Sequence, residues 1–409
     1  MEQEDDPLLP LRVLMQHWRV TLAAMLGWFL DAFDIMILIF LLVNLRDTFG
    51  VTLVAMGFVL TVQAWAKIAG NVLWGWGSDR FGRKPAFMVG VVWFAACSGL
   101  TGLAWSYGSL VAIRLLFGLG QGGEWSASAA LLMESVPAVS RSLASAIMMA
   151  GFEVGYFFAA GANALIYPAF GWRVLFFIGV LPALLTLFIR WSVPESPVWL
   201  ARRESLAAAR ARPKFQITAA GLQGWLFMAL LQFQNTAIFA FYPAFLQTVH
   251  HLSPGAIFPF AATYSVASIV GKPSIGYIAA RFGQRPTIVT YLLVTIPGAI
   301  FFTLVGSTAG LYLGAFLMGI VANSIFGLVP AFLSQRFATD VRSFGMGTGY
   351  AVASLAGSLC SFVLPVLGGS MGLGVAMAVL IIAGSAAAAA VAAIRPRQLP
   401  GEPSEATPA

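Results

Sequence analysis

The sequence contains little charge, few cysteines and few histidines, and each scarcity narrows the class of protein. Charged residues make up 10% of the 409 residues and hydrophobic residues 59%, whereas a soluble domain carries about 25% charged residues. Such a chain cannot cover a water-facing surface, so most of it must face lipid or other helices. The two cysteines, Cys97 and Cys360, lie in apolar runs and offer no disulfide framework or metal-ligand spacing. With only three histidines, a histidine metal centre is not expected.

Motifs of catalysis are also missing from the sequence. It has no Ser-His-Asp set, no His-Glu-x-x-His motif, no phosphate-binding glycine loop that opens a helix, and no soluble domain large enough for catalysis. We therefore expect a protein that is not an enzyme and binds no cofactor. The net charge of +7 comes from basic residues scattered over separate short loops, so nucleic acid is not expected as a partner.

Long apolar runs are the most prominent positive feature of the chain. A membrane span needs about 20 apolar residues. By this criterion the sequence predicts an all-α membrane protein with twelve transmembrane helices at 18–45, 54–78, 86–105, 108–133, 142–166, 172–192, 218–247, 254–279, 287–305, 309–335, 342–368 and 371–394. The corresponding units are an N-terminal tail 1–17, an N-terminal six-helix bundle 18–192, a linker 193–217, a C-terminal six-helix bundle 218–394 and a disordered tail 395–409.

The distribution of Lys and Arg predicts the orientation. Most of the 23 basic residues share one side if both termini and the linker are cytoplasmic, as the positive-inside rule requires. The opening MEQEDDPLLP lacks the basic start of a cleavable signal peptide, so the first helix is expected to direct insertion. We expect a monomer in the lipid bilayer of the plasma membrane, in a bacterium the inner membrane.

A short basic loop occurs twice. Residues 75–85 are GWGSDRFGRKP and residues 276–286 are GYIAARFGQRP, an offset of 201 positions (276 − 75). Arg141-Ser142 recurs as Arg342-Ser343 at the same offset. A repeated loop in an apolar chain predicts two homologous halves, the pattern of a transporter built from repeats.

The first copy of this loop resembles the signature of the major facilitator superfamily, G-x-x-x-D-R-x-G-R-K/R, and the resemblance covers nearly the whole chain. It implies that the two halves rock against each other and that an ion-pair network closes the cytoplasmic side. The other possibility is that these charges only anchor the topology. The second copy has Ala280 where the first has Asp79. The gate residues implied are Asp79, Arg80, Arg83, Lys84, Glu134, Arg141, Arg281 and Arg342.

Six ionisable residues lie inside the predicted spans of the N-terminal half. An ionised group at mid-bilayer costs about 2.5–3.5 kcal/mol on insertion scales, so these residues should face a cavity and pair with one another. Lys67 or Arg114 can hold an anion. Asp31, Asp34, Glu124 and Glu153 can carry a proton, because burial raises the pKa of a carboxyl. Fixed structural ion pairs are the alternative for all six.

Polar residues in both halves are candidates to complete a binding site near the membrane midplane. Hydrogen bonding between helices is the other role open to each of them. In the C-terminal half, Lys272 either snorkels toward the membrane surface or lines the cavity. The predicted substrate-binding residues, besides Lys67 and Arg114, are Gln121, Gln232, Asn235, Tyr264, Asn323 and Tyr350.

Several stretches resemble a particular branch, the sialate:proton symporters and related lactate-type permeases. These are GWFLDAFD in the first span, RLLFGLGQGGEW from Arg114, and VPESP after the sixth span. The resemblance implies that Asp31, Asp34 and Arg114 serve proton coupling and anion binding. Glu153 stands where this branch would have a small polar residue. The resemblance also implies extra membrane segments between the halves in members that carry sialic acid. This chain has only a short linker there, so monocarboxylates smaller than sialic acid are possible substrates.

The expected function is therefore proton-coupled import of an organic monocarboxylate anion such as lactate, pyruvate or a sialate-like acid, with the proton as the coupling ion. Two alternatives remain open within the same superfamily: an aromatic-acid:proton symporter, and an antiporter that exchanges a metabolite or drug for a proton.

Overall fold

The computed structural model describes residues 6, 8–208, 215–252 and 254–395, and within these ranges the chain contains helices and no strand. Of the tail predicted to be disordered, 395–409, all but residue 395 lie outside the described residues, as do 1–5 and 7 of the N-terminal tail and 209–214 of the linker.

The first half of the chain and the linker form ten helices over the described residues. They are α1 Leu9–Gln16, α2 Trp18–Phe40, α3 Leu42–Phe49, α4 Leu53–Phe81, α5 Arg83–Gly102, α6 Tyr107–Ser135, α7 Ala138–Leu165, α8 Tyr167–Ile178, α9 Pro182–Ser192 and the linker helix α10 Pro197–Ala208.

The second half follows with α11 Ala219–Asn235, α12 Tyr242–Thr248, α13 Pro254–Phe282, α14 Gln284–Leu304, α15 Thr308–Leu317, α16 Val329–Ser334, α17 Arg342–Met371 and α18 Leu373–Ala393. Short π-helical segments lie at Thr236–Ala240 and Met318–Ala322, and 3₁₀ segments at Asn323–Leu328 and Thr339–Val341.

The two halves repeat each other at the offset seen in the basic loops. Helix α13 begins and ends 201 residues after α4 (254 − 53 and 282 − 81). The glycine that follows each of these helices has a positive φ, 115° at Gly82 and 92° at Gly283. Residues other than glycine adopt this backbone conformation only with strain. A second pair of positive-φ glycines, Gly171 and Gly372, is also 201 residues apart.

Eight helical stretches in the described ranges are long and apolar enough to cross a membrane: Trp18–Phe40, Arg83–Gly102, Ala138–Leu165, Ala219–Thr248, Gln284–Leu304, Thr308–Ser334, Thr339–Met371 and Leu373–Ala393. The protein is thus a multi-pass membrane protein. The count of twelve spans and the cytoplasmic position of the termini stay predictions.

Four predicted spans are not single regular α-helices, and the mildest interruption is in 18–45, at Leu41 between α2 and α3. Predicted span 309–335 passes from α15 through π and 3₁₀ segments into α16. Pro330 lacks the N–H that a regular helix would use there, and Ser145 of α7 supplies bonds at the break. Its hydroxyl donates to the Gly327 carbonyl at 2.6 Å and accepts from the Ala331 N–H at 3.2 Å. Predicted spans 218–247 and 172–192 are likewise interrupted, by the π segment before α12 and by the break between α8 and α9.

The buried apolar residues show how the halves join. We call the end of the bundle that carries Gly82 and Gly283 the loop end. The largest apolar core lies toward this end and includes residues of both halves, for example Leu131 and Met148 with Phe332 and Met346. Toward the opposite end each half has its own smaller core. The halves are therefore packed together at the loop end and separately at the other.

Candidate functional site

The repeated glycines allow the two halves to touch at the loop end. A Cβ placed on Gly75 of α4 would lie 2.7 Å from the backbone oxygen of Ser343 in α17. A Cβ on Gly276 of α13 would lie 2.9 Å from the backbone oxygen of Ser142 in α7. Ser142 and Ser343 are themselves 201 residues apart. The same contact is therefore made twice across the seam between the halves.

An ion-pair network closes this contact. Arg83 lies 2.5 Å from Asp79 and 3.0 Å from Glu134, and Glu134 also lies 3.0 Å from Arg342 of the other half. The Asp79 carboxylate accepts hydrogen bonds from the backbone N–H groups of Ser343 and Phe344 at 3.0 and 2.8 Å. Residues of the first basic loop thus bind the start of α17 across the seam.

Glu134 is the acid that both halves share. It lies beyond the predicted span 108–133 and its side chain is fully buried. Burial raises the pKa of a carboxyl, but Arg83 and Arg342 outweigh burial here and hold the pKa of Glu134 below its ordinary value. The carboxylate is therefore ionised at neutral pH and can hold both arginines.

The linker braces the same network. Glu195 accepts hydrogen bonds from the backbone N–H groups of Arg83 and Lys84 at 3.1 and 3.2 Å, at the start of α5. Ser196 donates to Glu134 at 2.6 Å, and the Trp199 indole donates to the Asp79 backbone oxygen at 2.9 Å. The VPESP stretch is thus a cap for α5 as well as a connection between the halves.

Four predicted gate residues have other surroundings. The guanidinium groups of Arg80 and Arg281 lie over neighbouring aromatic rings, 5.3 Å from Trp76 and 5.9 Å from Phe282. Arg141 donates to the Val136 backbone oxygen at 3.0 Å. The backbone N–H of Lys84 donates to both carboxylate oxygens of Glu195 at 3.2 Å. A gating role for these four side chains stays a prediction.

The two aspartates of α2 form two separate ion pairs. Asp31 lies 3.1 Å from Lys67 of α4, and Asp34 lies 2.6 Å from Arg114 of α6. Both aspartates are buried. Each carboxylate therefore has its own cation, and the pairs point toward different neighbours.

The Asp34–Arg114 pair lies inside the N-terminal half. Asp34 also accepts a hydrogen bond from Ser98 of α5. The fully buried guanidinium group of Arg114 is sandwiched between two rings, 4.7 Å from Phe117 and 4.7 Å from Phe176. These neighbours all belong to the first half. Nε and Nη2 of Arg114 have no hydrogen-bond partner among the described residues, so Asp34 uses only part of the guanidinium group. Its predicted role in anion binding, and that of Asp34 in proton coupling, stay predictions.

Lys67 occupies a different setting, at the seam. Its ammonium group lies 5.3 Å from the ring of Trp28 and 5.4 Å from that of Tyr350, which comes from the other half. Tyr350 packs 4.8 Å from Trp125, and Phe152 packs 5.5 Å from Trp28. We call Trp28, Trp125, Phe152 and Tyr350 the aromatic enclosure. Two of its rings, those of Trp28 and Tyr350, lie within cation–π distance of the Lys67 ammonium group.

Buried polar groups without partners cluster around Lys67. On the described residues, hydrogen-bond partners are missing for Oδ1 of Asp31, both amide atoms of Asn71, Nε2 of Gln121 and the indole nitrogens of Trp28 and Trp125. Buried polar groups are nearly always satisfied in native proteins. A concentration of unsatisfied donors and acceptors beside a cation is what a polar ligand can complete.

Glu124 is the most unusual of these groups. Its side chain is fully buried, and neither carboxyl oxygen has a hydrogen-bond partner among the described residues. A Cβ on Gly27 of α2 would lie 2.1 Å from its Oε1 and one on Gly90 would lie 3.3 Å from its backbone nitrogen. Glycines on two neighbouring helices thus make room for this residue. Burying an unpaired charge is very costly, so the arrangement suits a carboxyl that can take up a proton.

A third buried ion pair differs from the two pairs of α2 because it crosses the seam. Lys272 of α13 lies 2.6 Å from both oxygens of Glu153 on α7. The Asn323 amide donates to Glu153 and to Ser268, each at 2.8 Å. Asn323, predicted to bind substrate, and Glu153, predicted to carry a proton, thus contact each other directly.

The remaining predicted residues lie elsewhere. Tyr264 donates to Asn235 at 3.5 Å within the second half, and a Cβ on Gly357 would lie 3.2 Å from Cγ of Gln232. Gln121 accepts from Gln63 at 3.5 Å in the first half. Substrate-binding roles for these residues stay predictions.

Sequence reasoning missed Trp28, Asn71 and Trp125. Each stands three or four residues from a residue that it did select: Asp31, Lys67 and Gln121, respectively. That spacing places both members of a pair on one face of a helix. The helical neighbours of buried charges were therefore the available signal.

Two similar helical halves, joined along a seam that holds buried charges, define a secondary transporter as the class of protein. Comparison with known families identifies it further. The chain belongs to the Major Facilitator Superfamily, whose family model matches residues 24–359 and 224–408.

Curated relatives and solved structures agree with this family. The chain is 28% identical to the sialic acid transporter NanX of Escherichia coli (strain K12), over 89% of this chain and 90% of that protein. It is 31% identical to a probable 4-methylmuconolactone transporter of Cupriavidus pinatubonensis, over 86% and 84%. The structure of the proton:xylose symporter XylE bound to 6-bromo-6-deoxy-D-glucose matches with a TM-score of 0.77 at 20% identity, over 91% and 94%. The relatives are transporters of small organic compounds across a lipid bilayer.

Proposed function

We propose that this protein imports an organic monocarboxylate anion together with a proton, by alternating access, across a bacterial inner membrane. The observation that carries the proposal is Lys67, a cation inside the aromatic enclosure at the seam, 3.1 Å from Asp31. A buried ammonium group there can attract an anion into the seam, and the surrounding aromatic and polar groups can bind the uncharged part of the molecule. No enzymatic role is proposed.

We propose that the coupled proton passes through Glu124 and Asp31 on its way across the membrane. Neither carboxyl oxygen of Glu124 has a hydrogen-bond partner among the described residues, and a proton would make this buried group neutral. An anion that enters with one proton moves no net charge. The inward-negative membrane potential, which costs an anion about 2.3 kcal/mol per 100 mV, then does not oppose uptake.

Substrates of this kind include lactate, pyruvate and a sialate-like acid, and the likeness to a sialic acid transporter supports the group. The aromatic enclosure favours a second candidate within the same chemistry, an aromatic carboxylate. Three of its four members are tryptophan or tyrosine, whose rings stack well on planar ligands.

Uptake of labelled lactate, pyruvate, sialate and benzoate into proteoliposomes, with the outside buffer acidic or neutral, tests the proposal. We expect acid outside to stimulate uptake of at least one of them. If an imposed pH gradient drives uptake of none of the four, the proposal is wrong. Efflux of a loaded compound driven by the same gradient would instead identify an antiporter.

The variant Glu124→Gln tests the proton site. It keeps the shape of the side chain and removes its ability to ionise, so we expect acid-stimulated accumulation to be lost while exchange of internal for external substrate continues. Glu204→Gln, on the exposed face of the linker helix, is the matched control and should behave as the wild type. Wild-type accumulation by Glu124→Gln would remove Glu124 from the coupling.

A further inference from the structure

Lys272 is a second buried cation at the seam, and Glu153 occupies its ammonium group. Both carboxyl oxygens of Glu153 lie 2.6 Å from the Lys272 ammonium group, which also donates to the Met149 backbone oxygen at 3.3 Å. Both side chains are almost fully buried. In this arrangement the ammonium group is fully used, and no anion from outside can bind it.

Among the described groups near Glu153, Lys272 is the one with a positive charge. Tyr264 of α13 interacts electrostatically with Glu153, and the neutral amide of Asn323 in the 3₁₀ segment donates a hydrogen bond to it. On α2, which packs against the same helix α7, Asp31 and Asp34 are held by Lys67 and Arg114. Lys272 and Glu153 thus respond directly to each other's charge.

We propose that Lys272 is an anion-binding residue of the transport site, and that its ligand is either the Glu153 carboxylate or the carboxylate of the substrate. A proton that binds a Glu153 oxygen converts the carboxylate to a neutral acid. Asn323 can still donate to this acid, while Lys272 becomes an unpaired buried cation. The substrate carboxylate then takes the place of the Glu153 carboxylate.

This exchange balances and couples the two fluxes. The pair starts neutral, with one carboxylate and one ammonium group. One proton and one substrate carboxylate enter, and the site is neutral again, with the proton on Glu153 and the substrate on Lys272. Binding of the substrate without the proton would place two carboxylates on one cation, and the proton alone would leave the cation unpaired. The proposal rests on the proposed transport of a carboxylate.

The location of the pair fits this role. It joins α7 of the first half to α13 of the second, beside the π and 3₁₀ break that precedes α16. Phe152, the residue before Glu153, packs against Trp28 of the aromatic enclosure. The aromatic enclosure, which contacts Lys67, therefore also contacts the turn of α7 that carries Glu153.

Three variants separate binding from a purely mechanical lock: Glu153→Gln, Lys272→Gln and the double variant. The measurements are equilibrium binding and counterflow of labelled benzoate, lactate, pyruvate and sialate at acidic and neutral pH. In Glu153→Gln the ammonium group is open at every pH, so affinity at neutral pH should rise within the range of about 5–150-fold typical of coupled sites. Its pH dependence and gradient-driven accumulation should disappear, while counterflow persists.

Lys272→Gln should lose affinity at acidic pH by a similar factor, and the double variant should match Lys272→Gln. If the pair is only a lock, the double variant will instead behave as Glu153→Gln, and the inference is wrong. The charge-exchanged variant, Glu153→Lys with Lys272→Glu, keeps an ion pair and is used if a single variant does not fold. Acid-dependent binding by this variant supports the inference, and the absence of acid-dependent binding contradicts it.

The wild-type arm separates the two proposals. If the wild type accumulates one of the four acids and Lys272→Gln does so with unchanged affinity, the inference alone fails. If the wild type binds and transports none of them, the proposed function fails and the inference falls with it.

Discussion

At the scale of single residues, neighbouring acids on one helix have different tasks. Asp31 pairs with Lys67 at the seam, and three residues later Asp34 pairs with Arg114 inside the first half. Residues three apart lie on one side of a helix but point in directions that differ enough to reach different neighbours. Of the two aspartates, Asp31 therefore belongs to the seam between the halves, whereas Asp34 belongs to the packing inside the N-terminal bundle.

The buried pair inside the first half should behave as a structural unit. In Asp34→Asn the guanidinium group of Arg114 loses its buried carboxylate, and breaking such a pair costs about 3–5 kcal/mol. We expect a clear drop in the thermal unfolding temperature of the purified protein in detergent. The double variant Asp34→Asn with Arg114→Met should recover much of that loss, because no buried charge is left alone. Equal instability of the single and double variants would contradict this account.

How far the sequence predicts the site is visible in these residues. The cost of burying charge is sufficient to identify, from the sequence, the six ionisable residues inside the predicted spans of the first half. Their partners could not be predicted, because Lys272 meets Glu153 only when α13 lies against α7. The same limit applies to Trp28 and Trp125, whose closeness to Tyr350 depends on how the halves meet.

At the scale of helices, α4 and α17 approach each other across the seam through glycine. The closest approaches are at Gly75, against Ser343, and at Gly347, where a Cβ would lie 2.2 Å from the Asn71 backbone oxygen. A side chain at either of these two glycine positions would force the helices apart.

Substitution of a seam glycine should therefore disfavour closure of the loop end. In Gly75→Ala the new methyl group meets the Ser343 backbone oxygen, so the closed arrangement is strained and the open one is not. We expect spin labels placed across the loop end to show a larger share of long distances. Gly77→Ala, on the same helix with no atom within 4 Å of the new Cβ, is the control. Equal distance distributions for both variants would count against a steric role for Gly75.

The linker makes a second prediction at this scale. Glu195 caps the start of α5 from a distant part of the chain, and loss of a cap costs about 0.5–2 kcal/mol. Glu195→Ala should lower the free energy of unfolding by an amount in this range. The exposed Glu204→Ala in α10 should have no effect. A change in Glu195→Ala no larger than in Glu204→Ala would mean that the contact contributes nothing.

The regular helices were easier to predict than their interruptions. Apolar length and the repeated basic loop were sufficient to place α4 and α13 in matching positions. The break between α15 and α16 was not predictable, because its backbone groups are satisfied by Ser145 from the other half. Pro330 alone, inside an apolar run, does not indicate such a partner.

At the scale of the whole molecule, the described residues concentrate the apolar core shared by the two halves, and the largest ion-pair network between them, at the loop end. The network of Asp79, Arg83, Glu134 and Arg342 and the shared apolar core both lie at the loop end. In alternating access the two ends open in turn. The conformation described here therefore corresponds to the state closed at the loop end.

Loss of the shared acid should open that end. Glu134→Gln leaves Arg83 and Arg342 without their common carboxylate, and two like charges then face each other at the seam. We expect cysteines introduced near the loop end to react faster with a water-soluble maleimide in this variant than in the wild type. Burial raises the pKa of Asp79 in the same network to about 6, so mild acidification also weakens the closed end. The labelling rates are therefore compared above pH 7, where Glu134 and Asp79 are both ionised. Unchanged labelling rates in Glu134→Gln would show that the network does not hold the closed state.

The shared core at the loop end also has a thermal consequence. Opening that end admits water to apolar side chains of both halves, and hydration of apolar surface raises the heat capacity. The two conformations then differ in heat capacity by an amount set by the apolar area hydrated at the loop end minus the apolar area buried at the opposite end. Because hydrophobic association weakens on cooling, a falling temperature should shift the resting population toward the conformation that hydrates more apolar surface. The balance of the transport cycle would thus depend on temperature even without substrate or a proton gradient.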